Sequence, residues 1–145
     1  MLNVEQVDFV SVPTRDRERA RAFYGEMLGL ERNPNVPEPW TEFEISSVTL
    51  ALWEPESQGV PFRPNPAGIA LRVPDVAEAR RTLEETGVAF HGETIDTGVC
   101  HMAFFADPDG NCLILHRRYA PTPPDSSGRV GGQTPAGPKR TGHEN

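Results

Sequence analysis

The chain has 145 residues, 37% of them hydrophobic, and a formal net charge of −7. This is one domain by size, and its acidic balance argues against nucleic acid or an anionic membrane as partner. Residues 121–145 hold five Pro, five Gly and no aromatic, too little apolar surface to offset ordering entropy, which predicts a disordered tail behind a single domain over residues 1–120.

A short apolar strand is expected over residues 7–12, closed by Pro13. Asp16 is placed to cap a helix over residues 17–28, in which Ala20, Phe23, Met27 and Leu28 form the apolar stripe and Gly29 the stop. Residues 33–39 read as a Pro-rich loop, residues 40–45 and 47–53 as two strands joined by a tight turn, and residues 54–66, with four prolines, as a connector. A strand over residues 68–73 ends at Pro74. Asp75 then caps a second helix with Glu78 at the capping-box position; Val76, Ala79 and Leu83 are its buried stripe and Gly87 its stop. A short strand over residues 88–92 leads to the most distinctive stretch. There, two apolar runs within residues 99–116 flank Asp107-Pro108-Asp109-Gly110-Asn111, the pattern of a β-hairpin. Pro108 presets one turn angle, and Gly110 or Asn111 can take a positive φ.

The order repeats. Strand, Pro, Asp-capped helix and Gly stop occur twice, with Asp16 and Asp75 lying 59 positions apart. Each half reads βαβββ, with module one at about residues 5–54, a linker at 55–66 and module two at about 67–118. Half a chain of this length cannot close a core alone, so the two must share one. The cysteines, Cys100 and Cys112, sit on opposite arms of the hairpin. With Ala106 facing Cys112, Cys100 lies roughly 20 Å along its strand, beyond disulfide reach. The first residues lack a basic region and an apolar run, and no segment has membrane-spanning length, so a cytoplasmic protein is expected.

The run Phe23-Tyr24-Gly25-Glu26-Met27-Leu28-Gly29-Leu30, the strand Gly68-Ile69-Ala70-Leu71-Arg72-Val73 and the turn Asp107-Pro108-Asp109-Gly110-Asn111 resemble the vicinal oxygen chelate superfamily. That group includes glyoxalase I, extradiol dioxygenases, fosfomycin-resistance enzymes and bleomycin-resistance proteins, and the likeness spans about residues 5–118. It implies an α+β fold in which two βαβββ modules form curled mixed sheets around a cup, commonly in a homodimer. It also implies a divalent metal held by His, Glu or Gln on the first and last strands of each module. Carried over position by position, those seats fall at Phe9, Leu50, Gly68 and Ile114, with Leu52, Cys112 or His116 offered by a shift of two. Phe, Leu, Gly and Ile donate nothing to a metal. The expectation is therefore no metal and no cofactor, as in the bleomycin-resistance branch.

Strand alternation then assigns the cup wall: Phe9, Ser11, Leu50, Leu52, Gly68, Ala70, Arg72, Cys100, Met102, Phe104, Ile114 and His116, with Trp40 at the rim beside Phe43 and Phe62. Such a wall suits a small apolar or aromatic molecule, possible antibiotics included. His116 and Arg72 are the catalytic candidates if a lyase or isomerase works here without metal; a metalloenzyme with displaced ligands is the third alternative. Each has a plainer reading: His116 as a solvated strand-end histidine, Arg72 as an ion-pair partner of Glu42 or Glu44, the thiols as small buried hydrophobes. His101 points to the opposite face from Met102 and reads as structural.

Overall fold

The computed structural model describes residues 1–121; the remainder of the anticipated tail lies outside the described residues. Eight strands form two four-stranded mixed sheets, one per module. β1 (Phe9–Pro13), β2 (Glu31–Arg32), β3 (Thr41–Ile45) and β4 (Val48–Trp53) make the first, in the order β1-β4-β3-β2. β5 (Ile69–Arg72), β6 (Phe90–Asp96), β7 (Cys100–Ala106) and β8 (Cys112–Arg118) make the second, in the order β5-β8-β7-β6. In each the first strand runs parallel to the last, and the other neighbours are antiparallel. The repeat read from the sequence is thus a repeat of topology. The sheets are not closed into a barrel.

Both helices start where the aspartates predict. The Asp16 side chain accepts from the Arg19 amide at 3.1 Å and opens α1 (Arg17–Arg21). Asp75 accepts from the Glu78 amide at 3.0 Å and opens α2 (Val76–Glu85). The first helix does not stay α-helical to residue 28 as expected. It widens into a π-helical turn over Ala22–Met27, in which the Leu28 amide reaches back to the Phe23 carbonyl. This turn seats two consecutive aromatic rings, Phe23 and Tyr24, in the core edge to face at 5.2 Å. Gly25 lies beside them, where a β-carbon would stand 3.4 Å from the Phe43 ring, at van der Waals contact.

The helix-covered faces form one core. Val12, Phe43, Leu50 and Leu52 contribute from the first sheet, Ala103, Phe105, Leu113 and Leu115 from the second, with Ala20, Phe23, Tyr24, Val76 and Leu83 from the helical segments. Leu50 and Leu52 therefore face inward, which corrects their placement on the same wall as Phe9. The register explains it: Leu50 pairs with Val10 and Phe43, and Leu52 with Val12 and Thr41, all on the covered face. Thr49, Ala51 and Trp53 share the open face with Phe9, Ser11 and Pro13.

The polar turn of the β7–β8 hairpin fastens one module to the other. Gly110 takes the positive φ, at 89°. The Asp107 carboxylate is buried and accepts from the Asp109 and Asn111 amides, each at 2.9 Å, from Asn111 Nδ2 at 2.7 Å and from the Tyr24 hydroxyl at 2.6 Å. Asn111 also donates to the Pro13 carbonyl at 2.8 Å, and Asp109 accepts from Thr14 Oγ1 at 2.6 Å, the Arg15 amide and Arg19. The donors to Asp107 and Asp109 from outside the hairpin, Thr14, Arg15, Arg19 and Tyr24, all come from the stretch that follows β1, and the Asn65 amide of the connector donates to Asn111 Oδ1 at 2.8 Å. These carboxylates are saturated with partners, so the motif is a structural clasp.

Candidate functional site

The open face of the second sheet carries most of the anticipated wall. In register across three strands lie Ala70, Ile114 and Phe104, then Arg72, His116 and Met102. Cys112 pairs with Ala106 at one end and Cys100 with Arg118 at the other. Both thiols are free. Cys100 is buried, its Sγ 3.1 Å from Thr97 Oγ1, so it is covered by the turn that precedes it. Gly68, just ahead of β5, sits at φ 83°. A β-carbon there would stand 3.0 Å from Cys112 Sγ and 3.1 Å from Ile114 Cδ1.

Phe9 and Ser11 lie on the open face of the other sheet, Phe9 with 60% of its surface exposed. Trp40 is half exposed just ahead of β3. A shallow polar hollow of about 410 Å³ holds Phe9 with Gln6, Asp8, Glu42, Glu44 and Thr49. Neither cavity described joins Phe9 to Met102, Phe104, Ile114 or His116. Phe9 thus lies apart from those second-sheet residues in both of these cavities.

What the chain does assemble is an apolar cavity of about 670 Å³ between the modules. Module one supplies Val10, the π-helical turn and its exit through Leu30, the β3–β4 turn and Leu50. Module two supplies β5, the Ala79–Leu83 side of α2, and Leu115. Of the predicted wall, Leu50, Ala70 and Arg72 are here. The lining was missed because it belongs to the covered faces, which alternation assigns to the core. β5 is an edge strand, paired only with β8, so residues from both of its faces reach the cavity: Ile69 and Leu71 from one, Ala70 and Arg72 from the other.

Arg72 makes neither of the ion pairs anticipated for it. Among the described residues it has no carboxylate within salt-bridge distance, Glu42 and Glu44 included. Glu44 instead accepts from Thr49 and Asn33. His101 is engaged at the far end of β7, 3.4 Å from the Asp96 carboxylate and with its ring 4.9 Å from that of Tyr119. The Gly98 amide, then the Tyr119 hydroxyl, hold the Asp96 carboxyl below its ordinary value.

The glyoxalase/bleomycin resistance protein/dioxygenase superfamily profile matches residues 6–115. The chain belongs to this superfamily. Among solved structures, an antibiotic binding protein, TnmS3 from Streptomyces sp. CB03234, superimposes with a TM-score of 0.68 at 29% identity, over 81% of this chain and 99% of that one. A superfamily member from Sphaerobacter thermophilus gives 0.66 at 28% identity, over 78% and 97%. A lactoylglutathione lyase from Agrobacterium tumefaciens shares the fold at a TM-score of 0.67 and 16% identity, over 79% and 94%. No curated protein matches the chain significantly.

The metal that superfamily enzymes hold does not fit the residues present. Phe9 and Ile114 offer no donor, Leu50 is turned into the core, and Gly68 has no room for a side chain without displacing Cys112 and Ile114. Among the described residues no three His, Cys, Asp or Glu side chains come together as a ligand set.

Proposed function

We propose that this superfamily member binds a small apolar or aromatic molecule in the cavity between its modules, without metal and without turnover. The observation that carries this is the cavity itself: about 670 Å³, apolar, with four polar or charged side chains, Ser46, Ser47, Arg72 and Thr82. Sites for drug-sized molecules typically enclose about 300–1,000 Å³ with a few polar groups among apolar walls. The antibiotic-binding neighbour supports the same class of ligand. A homodimer belongs to this reading. The open faces of both sheets leave apolar groups uncovered, Phe9 and Ile95 among them, and a second copy would set module one of each chain against module two of the other to complete the cup. The two free thiols support a reducing, cytoplasmic setting.

The test is saturable binding of N-phenyl-1-naphthylamine, read by fluorescence, with native mass spectrometry and elemental analysis of freshly purified protein. Ala79→Phe, which fills the cavity from α2, is expected to abolish binding while the fold is retained. Stoichiometric, tightly held divalent metal between the sheets would overturn the reading, as would binding that Ala79→Phe leaves intact. A second reading, proton transfer in a lyase or isomerase step, is favoured by the register that sets Arg72 directly beside His116. It requires turnover that His116→Ala abolishes while ligand binding persists.

A further inference from the structure

We infer that the molecule held between the modules is an organic anion, an apolar body carrying one carboxylate, and that Arg72 is the residue that reads its charge. The inference rests on the binding reading above and names its ligand class. Among the described residues Arg72 is the only charged one lining the cavity, and no carboxylate lines it. Among the described arginines, Arg15, Arg17, Arg19, Arg21, Arg32 and Arg80 each hold a carboxylate within 4.0 Å, while Arg63, Arg72, Arg81, Arg117 and Arg118 do not, and of these five only Arg72 lines the cavity. Arg72 holds none among the described residues.

Its position matches an anionic head group. Arg72 is the last residue of β5 and is exposed, while Ile69 and Leu71 of the same strand face the apolar interior. A ligand lying along this edge strand would have its apolar part against Leu83 and Leu115 and its head at the solvent-side end. A guanidinium is planar and matches a carboxylate through two parallel hydrogen bonds, which a neutral alcohol cannot reproduce. The Ser46 and Ser47 hydroxyls at the β3–β4 turn line the same cavity and offer further donors. Apolar volume gives affinity for any greasy molecule; the lone cation selects those with a negative end.

The experiment is competition against N-phenyl-1-naphthylamine, a neutral probe, by decanoate and by decanol, with the full-length protein at pH 8. Decanoate is expected to displace the probe at about one-tenth the concentration of decanol, a difference of about 1.4 kcal/mol. Arg72→Gln should bring the ratio close to one, and Arg72→Lys, which keeps the charge but not the planar fork, should retain part of it. Equal displacement by the two competitors in the wild type overturns the inference but not the binding reading. A preference that survives Arg72→Gln does the same. If Arg72→Gln dissociates a dimer and leaves the ratio unchanged, its carboxylate belongs to a second copy and the inference is wrong. If the probe does not bind at all, the binding reading fails together with it.

Discussion

Removing the Tyr24 hydroxyl tests whether the hairpin turn is a structural clasp. Tyr24 is fully buried, and its hydroxyl donates at 2.6 Å to an Asp107 carboxylate that is itself buried. Hydrogen bonds to charged groups contribute about 1.5–3 kcal/mol, and Asp107 keeps three other donors after Tyr24→Phe. The expected loss is therefore about 2 kcal/mol, or about 8 °C in Tm for a domain of this size. Asp107→Asn should cost more, because its amide must point a donor at groups that already donate. The pH dependence gives a sharper test. Burial, followed by the charge of Asp107, pushes the Tyr24 phenol above its ordinary value of 10.0. A raised folded pKa means the contribution is complete below about pH 10 and is lost above it, where the unfolded phenol ionises and the folded one does not. Above pH 10 this single group lowers stability by about 1.4 kcal/mol per pH unit. Urea denaturation followed by circular dichroism should show wild type ahead of Tyr24→Phe by about 2 kcal/mol at pH 8, with the gap closing by about pH 11.5. A gap under about 0.5 kcal/mol at pH 8, or parallel curves to pH 11.5, would refute the clasp.

Three further outcomes follow from the packing. Gly68→Ala should destabilise by about 1–3 kcal/mol in a urea titration, since its φ of 83° strains any β-carbon and the two nearest atoms lie at 3.0 and 3.1 Å. Leu50→Ala should cost about 2–5 kcal/mol and weaken probe binding, because Leu50 is both fully buried and a cavity wall. Prolonged EDTA treatment should leave Tm unchanged by calorimetry, and added zinc or nickel should not raise it, since among the described residues no three His, Cys, Asp or Glu side chains come together.

The features legible in the sequence are those fixed by neighbours in the chain. Asp16 and Asp75 cap helices through contacts three residues away, and Gly110 turns a hairpin within five residues, so each could be read locally. The face of β4 could not. Val48-Thr49-Leu50-Ala51-Leu52-Trp53 is apolar enough on both sides that its own alternation does not decide. The information lay in β3, where Glu42 and Glu44 alternate with Thr41, Phe43 and Ile45, and the pairing of Phe43 with Leu50 passes that facing on. β6 runs to Asp96 instead of ending at residue 92, because a register shift between His91 and Ile95 hides its period. The second helical half of α1 was expected as ordinary helix, since a π turn leaves no mark in spacing. The cavity depends on how two sheets sit against one another, a relation that strand patterns within each sheet do not encode.

β1 and β5 each have a strand neighbour on one side only. A bare sheet margin invites another chain to add on, and repeated addition ends in fibres. Here β1 terminates at Pro13 and β5 is followed, after Val73, by Pro74, residues with no amide hydrogen to extend a ladder. At these two margins a proline therefore closes the run of amides that an added strand would pair with.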